Sequence, residues 1–153
     1  MTFSVTRADP RELNVRALIG ELDAYQLSLY PAESNHLLDI ETLTRPEMRF
    51  FAAFDGEEIA GIGGLWLHDG YAEIKRVYVP RKARGRGVSK AIMAALEAEA
   101  LAQGRLLLRL ETGIHQPEAL GLYRALGYRM CGSFGDYPKD DPMSVFMEKR
   151  LSA

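Results

Sequence analysis

The sequence predicts a mixed α/β fold dominated by one sheet, and three observations point there. Apolar residues change along the chain from three- and four-residue spacing to near alternation and back. Two turn signals, Asp55-Gly56 and His68-Asp69-Gly70, join three consecutive apolar segments. A basic, glycine-containing stretch at mid-chain separates the last of those segments from a helical pattern. With 153 residues, 47% of them hydrophobic, the chain can bury roughly 70% of its unfolded surface, and it is expected to form a single domain over 1–153. Cys131 is the only cysteine, so no disulfide can form within the chain.

A short first strand is expected over 3–7. Asp9-Pro10 then reads as a helix start, with Asp9 as cap and Pro10 in the first position. Leu13, Ala17, Leu18, Leu22, Tyr25 and Leu29 stack on one face of that helix, which ends near Tyr30-Pro31. Residues 34–43 are a shorter helical candidate, closed by Thr44-Arg45-Pro46. Segments 48–54 and 58–67 form a hairpin around Asp55-Gly56, and 71–79 adds a third strand ending at Pro80. Ile92, Met93, Leu96, Ala100 and Leu101 hold helical spacing over 89–103, and Gly104 closes that helix. A strand over 105–111 follows. Pro117 opens a last helix with Ala119, Leu122 and Leu126 on one face, Gly127 ends it, and 128–131 and 143–149 are the closing strands. Phe50, Phe51 and Trp66 read as core aromatics, and Cys131 as an inert core thiol.

Nineteen basic against 21 acidic residues leave a net charge of −2, which argues against a surface that grips polyanions all over. The average hides a local excess. Lys75, Arg76, Arg81, Lys82, Arg84, Arg86 and Lys90 fall within sixteen positions that hold no acid, so a local anion site is expected. The amino terminus lacks an apolar stretch of signal-peptide length, and the longest nearly apolar run, 59–67, is too short to span a bilayer; a cytoplasmic protein is expected. His36, His68 and His115 have no metal-ligand spacing, and no metal is expected.

The most informative stretch is Val77-Tyr78-Val79-Pro80-Arg81-Lys82-Ala83-Arg84-Gly85-Arg86-Gly87-Val88-Ser89-Lys90. At a helix start several backbone N–H groups lack partners, glycines let a phosphate come close, and the helix dipole adds positive potential. The stretch therefore reads as a diphosphate cradle, with a solvated basic turn as the alternative. The P-loop ending and the three-glycine dinucleotide fingerprint are both absent.

Arg84-x-x-Gly87-x-Ser89 resembles the acetyl-coenzyme A motif of the GNAT superfamily of N-acetyltransferases, Arg/Gln-x-x-Gly-x-Gly/Ala, with Ser89 departing at the last position. Glu73-Ile74-Lys75, Leu110-Glu111-Thr112-Gly113 and Ala119-x-x-x-Tyr123-x-x-x-Gly127-Tyr128 extend the resemblance, which covers nearly the whole chain in element order. Phe134-Gly135-Asp136-Tyr137 and the ending Asp141-Pro142-Met143-Ser144-Val145-Phe146-Met147 resemble a group of small bacterial acetyltransferases within it. The resemblance implies a central, mostly antiparallel sheet of six to seven strands, flanked by about four helices and splayed at its central strands. It also implies acetyl-coenzyme A as co-substrate and a primary amine of a small molecule or peptide as acceptor.

By the same resemblance, Val77, Tyr78 and Val79 pair with the pantetheine arm, while Arg84, Gly85, Arg86, Gly87, Val88 and Ser89 hold the diphosphate. Gln116 stands where many members have an asparagine facing the cofactor. Glu73 is the candidate base, the alternative being an exposed strand charge paired with a neighbouring cation. Tyr123 is the candidate acid toward the leaving thiolate, since a phenol is protonated at neutral pH; the alternative is a core tyrosine. Glu33, His36, Glu111, His115 and Tyr137 are candidates to line the acceptor pocket. A homodimer through the terminal strands is expected from the superfamily alone. Two rival functions share the basic stretch: a non-catalytic acyl-coenzyme A sensor, and a nucleic-acid-binding loop with Tyr71 and Tyr78 as stacking partners. No nucleic-acid or membrane partner is expected.

Overall fold

In a computed structural model describing residues 3–31, 34 and 39–152, strands and helices follow the order β1 (Ser4–Arg7), α1 (Leu13–Leu29), α2 (Ile40–Leu43), β2 (Met48–Asp55), β3 (Glu58–Leu67), β4 (Ala72–Tyr78), α3 (Val88–Ala102), β5 (Leu107–Gly113), α4 (Pro117–Ala125), β6 (Arg129–Cys131) and β7 (Ser144–Arg150). The strands form one seven-stranded sheet in the order β1-β2-β3-β4-β5-β7-β6. Neighbours are antiparallel except β4 and β5, which run parallel.

Each face of the sheet carries its own apolar layer. Val15, Leu18 and Ile19 of α1 and Leu43 of α2 pack on Phe50, Ala52 and Ile62. On the other face Ile92, Met93 and Leu96 of α3 and Tyr123 of α4 pack on Leu65, Ile74, Leu108, Leu110 and Met147. Full burial of side chains such as Ile92 and Leu96 stabilises the fold by about 1.5–3 kcal/mol each. The close seat of α3 depends on β3: a Cβ at Gly63 would lie 2.5 Å from Ile92 Cγ2, and one at Gly61 2.9 Å from Val88 Cγ1.

Both helices that frame the later site end in a Schellman turn. At the end of α3, Arg105 N–H donates to Ala100 O at 2.8 Å and Gly104 N–H to Leu101 O at 3.0 Å. At the end of α4, Tyr128 N–H donates to Tyr123 O at 2.9 Å and Gly127 N–H to Arg124 O at 3.0 Å. Gly127 supplies the required positive φ of 97°. The hydrophobic contact that accompanies this motif is made by Tyr123 and Tyr128, edge to face with centroids 5.9 Å apart. The Gly127-Tyr128 pair thus fixes where Tyr123 sits.

Four expectations need correction. Asp9-Pro10 does not start α1. The Asp9 carboxylate is spent on Arg11, accepting from its N–H at 2.9 Å and from its guanidinium at 2.9 and 3.0 Å, so the pair builds a turn and the helix begins at Leu13. The buried stripe of α1 is Val15, Leu18, Ile19 and Leu22, whereas Leu13 and Tyr25 are exposed. The helix expected over 34–43 is helical as α2 only from Ile40, where Asp39 Oδ1 accepts from Thr42 N–H at 2.8 Å; residues 35–38 lie outside the described residues. Cys131 is half-buried on β6 at the sheet edge, and burial pushes its thiol pKa up.

Candidate active site

Parallel pairing between β4 and β5 stops at Ile74 and Leu110. Beyond that pair β4 runs on to Tyr78 and β5 to Gly113, each still bonded to its outer neighbour, so their inner edges part. The expected splay is present, and a β-bulge accompanies it. Three steps on β4, Lys75 to Tyr78, stand opposite two on β3, Ile62 to Gly64. The extra residue is Arg76, the only non-glycine among the described residues with positive φ, 58°. That backbone costs about 1–3 kcal/mol. An ion pair with Asp23 of α1 and near-complete burial hold it in place. Burial lowers the Arg76 pKa to about 10, which leaves the guanidinium charged at neutral pH.

A cleft of about 530 Å³ runs from the end of β4 along the following loop to α4. Val77, Tyr78, Val79, Arg84, Gly85, Gly87, Val88, Ser89, Gln116 and Tyr123 all line it, so the sequence-predicted cofactor residues are brought together with one exception. Arg86 does not line the cleft; its side chain pairs with Asp55 and lies over the Phe3 ring. Lys82 likewise pairs with Glu58, at 2.7 Å. Of the basic loop, Arg81, Arg84 and Lys90 face the cleft. Arg84 Nε donates to Val79 O at 3.0 Å, which closes the loop back onto the strand. Gly87 caps α3 at φ 82° with no side-chain cap, leaving the first-turn N–H groups of Val88, Ser89 and Lys90 without helical partners. These groups, the open space at Gly85 and Gly87 and the nearby cations fit a diphosphate.

A second cavity of about 100 Å³ adjoins the first between β4, β5, α1 and α4. Leu22, Val77, Gln116, Ala119 and Tyr123 line both, so the two communicate where the strands part. Tyr123 is 7% exposed; burial pushes its pKa up to about 12, and its hydroxyl has no hydrogen-bond partner among the described residues. Gln116 Oε1 accepts from Tyr30 Oη at 3.1 Å, Gly113 N–H at 3.3 Å and Gln26 Nε2 at 3.4 Å, tying the end of α1 to the start of α4. Tyr30 Oη also accepts from His115 N–H at 3.1 Å, and the Tyr30 and His115 rings stack at 5.4 Å.

Glu73 is 2% exposed and lines neither cavity. His68 Nε2 is 3.1 Å from its Oε1, the Tyr137 hydroxyl donates to Oε2, and Lys75 Nζ is 3.4 Å from Oε2. Burial pushes the Glu73 carboxyl up, but the His68 hydrogen bond, the Lys75 ammonium and the Tyr137 hydroxyl outweigh it and leave the pKa below the usual carboxylate value. Lys75 Nζ also donates to Tyr137 Oη at 2.6 Å. Lys75, in contact with both Glu73 and Tyr137, lines the smaller cavity, whereas Tyr137, like Glu73, lines neither. Glu111 lines that cavity directly, with its Oε2 accepting from Ser144 Oγ at 2.8 Å. His36 and Glu33 lie outside the described residues. Lys75, Arg76, Tyr30 and Gln26 line the site without having been singled out for it. The Lys75-Arg76 pair was visible as charge, but nothing in its spacing separates a cavity wall from a basic loop. Among the described residues, no group of three or more His, Cys, Asp or Glu is placed to hold a metal ion, and no helix is long and apolar enough to cross a membrane.

A profile of the acetyltransferase (GNAT) family matches residues 15–128. The "IAA acetyltransferase" of Azospirillum brasilense is 43% identical over 150 residues, 97% of each chain. The "Uncharacterized N-acetyltransferase YsnE" of Bacillus subtilis is 39% identical over 141 residues, 90% of this chain and 92% of that one. A crystal structure from Klebsiella pneumoniae subsp. pneumoniae superposes with a TM-score of 0.83 at 36% identity, covering 99% of both chains. The PaiA N-acetyltransferase of Thermoplasma acidophilum, crystallised in complex with coenzyme A, shares the fold with a TM-score of 0.73 at 17% identity, over 99% of this chain and 100% of that one.

Proposed function

The chain belongs to the GNAT family of acetyltransferases, and from that premise we propose that it moves the acetyl group of acetyl-coenzyme A directly to the primary amine of an acceptor bound at the same time. One observation carries this reading: the long cleft and the small cavity meet at Val77, Gln116, Ala119 and Tyr123, where β4 and β5 part. Two ligands held in the two spaces would touch there.

The cradle fits the diphosphate of coenzyme A: the N–H groups of Val88, Ser89 and Lys90, the glycines 85 and 87, and Arg84 would hold it. The β4 edge from Val77 to Val79 would pair with the pantetheine arm as an added strand does. When bound, acetyl-coenzyme A supplies a thioester carbonyl open to an amine. A C–N bond forms as the C–S bond breaks, the amine gives up one proton and the departing sulfur takes one. Tyr123, protonated at any physiological pH, donates its hydrogen bond to that sulfur. Glu73 is the proposed proton acceptor and works at one remove, through the Lys75–Tyr137 layer or a water, because it does not reach the cavity.

The test is thiol release from acetyl-coenzyme A across a broad panel of amines, with the product identified by mass. Amine-dependent release with formation of an amide is expected. Tight binding of acetyl-coenzyme A without acetylation of any amine would overturn transfer and leave a sensor.

A further inference from the structure

His68 lines neither the cleft nor the small cavity, yet its imidazole is fixed in place. Trp66 stands opposite Glu73 in the β3–β4 pairing, and His68 follows it by two residues, which brings the ring round to the same face. His68 N–H donates to Tyr71 O at 2.9 Å and Arg105 Nε donates to His68 O at 3.1 Å, so the backbone of the turn is tied at two points. The ring packs on Trp66, with centroids 4.5 Å apart, and on Tyr71, at 4.7 Å and nearly parallel. What these contacts hold is Nε2, 3.1 Å from Glu73 Oε1. An ionised carboxylate only accepts, so Nε2 carries the hydrogen.

The two oxygens of Glu73 are thereby divided. Oε1 meets His68, while Oε2 accepts from Tyr137 Oη and faces Lys75 Nζ at 3.4 Å. Of these groups only Lys75 lines the small cavity, so Oε2 is the oxygen on the side from which the acceptor's proton would arrive. Resting on the reading of Glu73 as proton acceptor, we infer that His68 is a positioning residue for the transfer: it anchors Oε1 and so keeps Oε2 turned to Tyr137 and Lys75. No other hydrogen bond reaches Oε1 among the described residues. Without the imidazole that oxygen is a buried acceptor with no partner, and the carboxylate gains by turning it toward Tyr137 or Lys75 instead. Loss of His68 also removes a hydrogen bond that lowers the Glu73 pKa, so the carboxylate becomes more basic as it loses its aim. Aim decides, because a proton passes only between groups within hydrogen-bond reach. Lys75, Tyr137, His68 and Tyr71 are the titratable groups that face Glu73; Arg109, its register partner on β5, is engaged by Glu148 at 3.3 Å.

The experiment follows thiol release across pH, with an amine that the parent acetylates, in His68→Phe, His68→Gln, Glu73→Gln and the double variant His68→Phe/Glu73→Gln. Phenylalanine keeps a ring in the stack and deletes the donor, whereas glutamine restores an N–H at about the reach of Nε2. His68→Phe should lower kcat about 10- to 100-fold, as deletion of a hydrogen bond to a charged group implies, with KM for acetyl-coenzyme A unchanged. Its acid limb of kcat should move to higher pH, because Glu73 loses a partner that favours its charged form. His68→Gln should recover most of the lost turnover. In the Glu73→Gln background His68→Phe should cost no more than about twofold, since the two act as one unit. Full or faster turnover of folded His68→Phe, or equal losses in both backgrounds, would overturn the inference and leave Glu73 as the base. Failure of the premise looks different. Glu73→Gln with the parental kcat and pH profile removes the base, a parent that acetylates no amine of the panel removes the transfer, and the positioning role goes with either. If His68→Phe does not fold, His68→Asn takes its place: its shorter amide cannot reach Oε1 and should be slow, and turnover equal to that of His68→Gln would overturn the inference.

Discussion

Gly113→Ala is the smallest change that should break the site. Gly113 ends β5, is buried and has no positive φ, so its backbone would accept alanine without strain. The obstacle is Tyr30. A Cβ at position 113 would overlap the hydroxyl oxygen and Cζ of Tyr30 and stand 2.7 Å from its Cε1. The ring must therefore move, and it is 6% exposed and fully engaged. Moving it breaks the bonds to Gln116 and from His115, each about 0.5–1.5 kcal/mol net. Overpacking adds about 1–3 kcal/mol. The sum is a loss of about 2–6 kcal/mol, measured as the change in unfolding free energy by chemical denaturation. Tyr30→Phe would not relieve the overlap, because Cζ remains; Tyr30→Ala would, so a double-mutant cycle with Gly113→Ala should show strong coupling. A Gly113→Ala protein within 0.5 kcal/mol of the parent, or no coupling to Tyr30→Ala, would refute the account of how α1 is tied to β5.

Three further outcomes follow from the same geometry. Gly87→Val places a side chain at φ 82° in the cradle, at a backbone cost of about 1–2 kcal/mol, and should weaken coenzyme A binding by about 10-fold or more in calorimetry; normal binding would contradict the cradle. Tyr123→Phe should lower kcat by about 100-fold while coenzyme A affinity stays near that of the parent, and full turnover would remove the acid role. Glu73 has a folded pKa below its unfolded value, so its contribution is present above the unfolded pKa, about 4.3, and is lost as pH falls through the folded pKa. Glu73→Gln should therefore be less stable than the parent at pH 7 and lose less stability on acidification below that value, as read from denaturation midpoints; parallel acid limbs would show that the carboxylate is not held charged.

Local signals carried far into the structure where one residue type meets one backbone need. Gly104 and Gly127 end helices because their positive φ completes Schellman turns, and Asp55-Gly56 turns a hairpin. The helix start at Gly87 was legible for the same reason, since Gly85 and Gly87 before a helical pattern leave first-turn N–H groups without partners. Asp9-Pro10 misled because the rule concerns capping, and the Asp9 carboxylate found Arg11 two residues away instead.

The walls of the small cavity were not legible in this way. Residue identity placed Glu73 and Glu111 on strands, but their burial and facing depend on pairings across 35 or more residues: Ile74 with Leu110, Tyr137 with Glu73 and Arg76 with Asp23. The bulge at Arg76 shifts the alternation of β4 by one residue, so no period-two count along 72–78 could say which side chains meet the cavity. The order of residues along the chain dictates turns, caps and the glycine-capped helix start at Gly87, because those are contests between neighbours. Which carboxylate lines the small cavity, Glu111, and which is buried against Lys75, His68 and Tyr137, Glu73, was decided by the sheet as a whole, because the dielectric around a charge is set by everything packed against it.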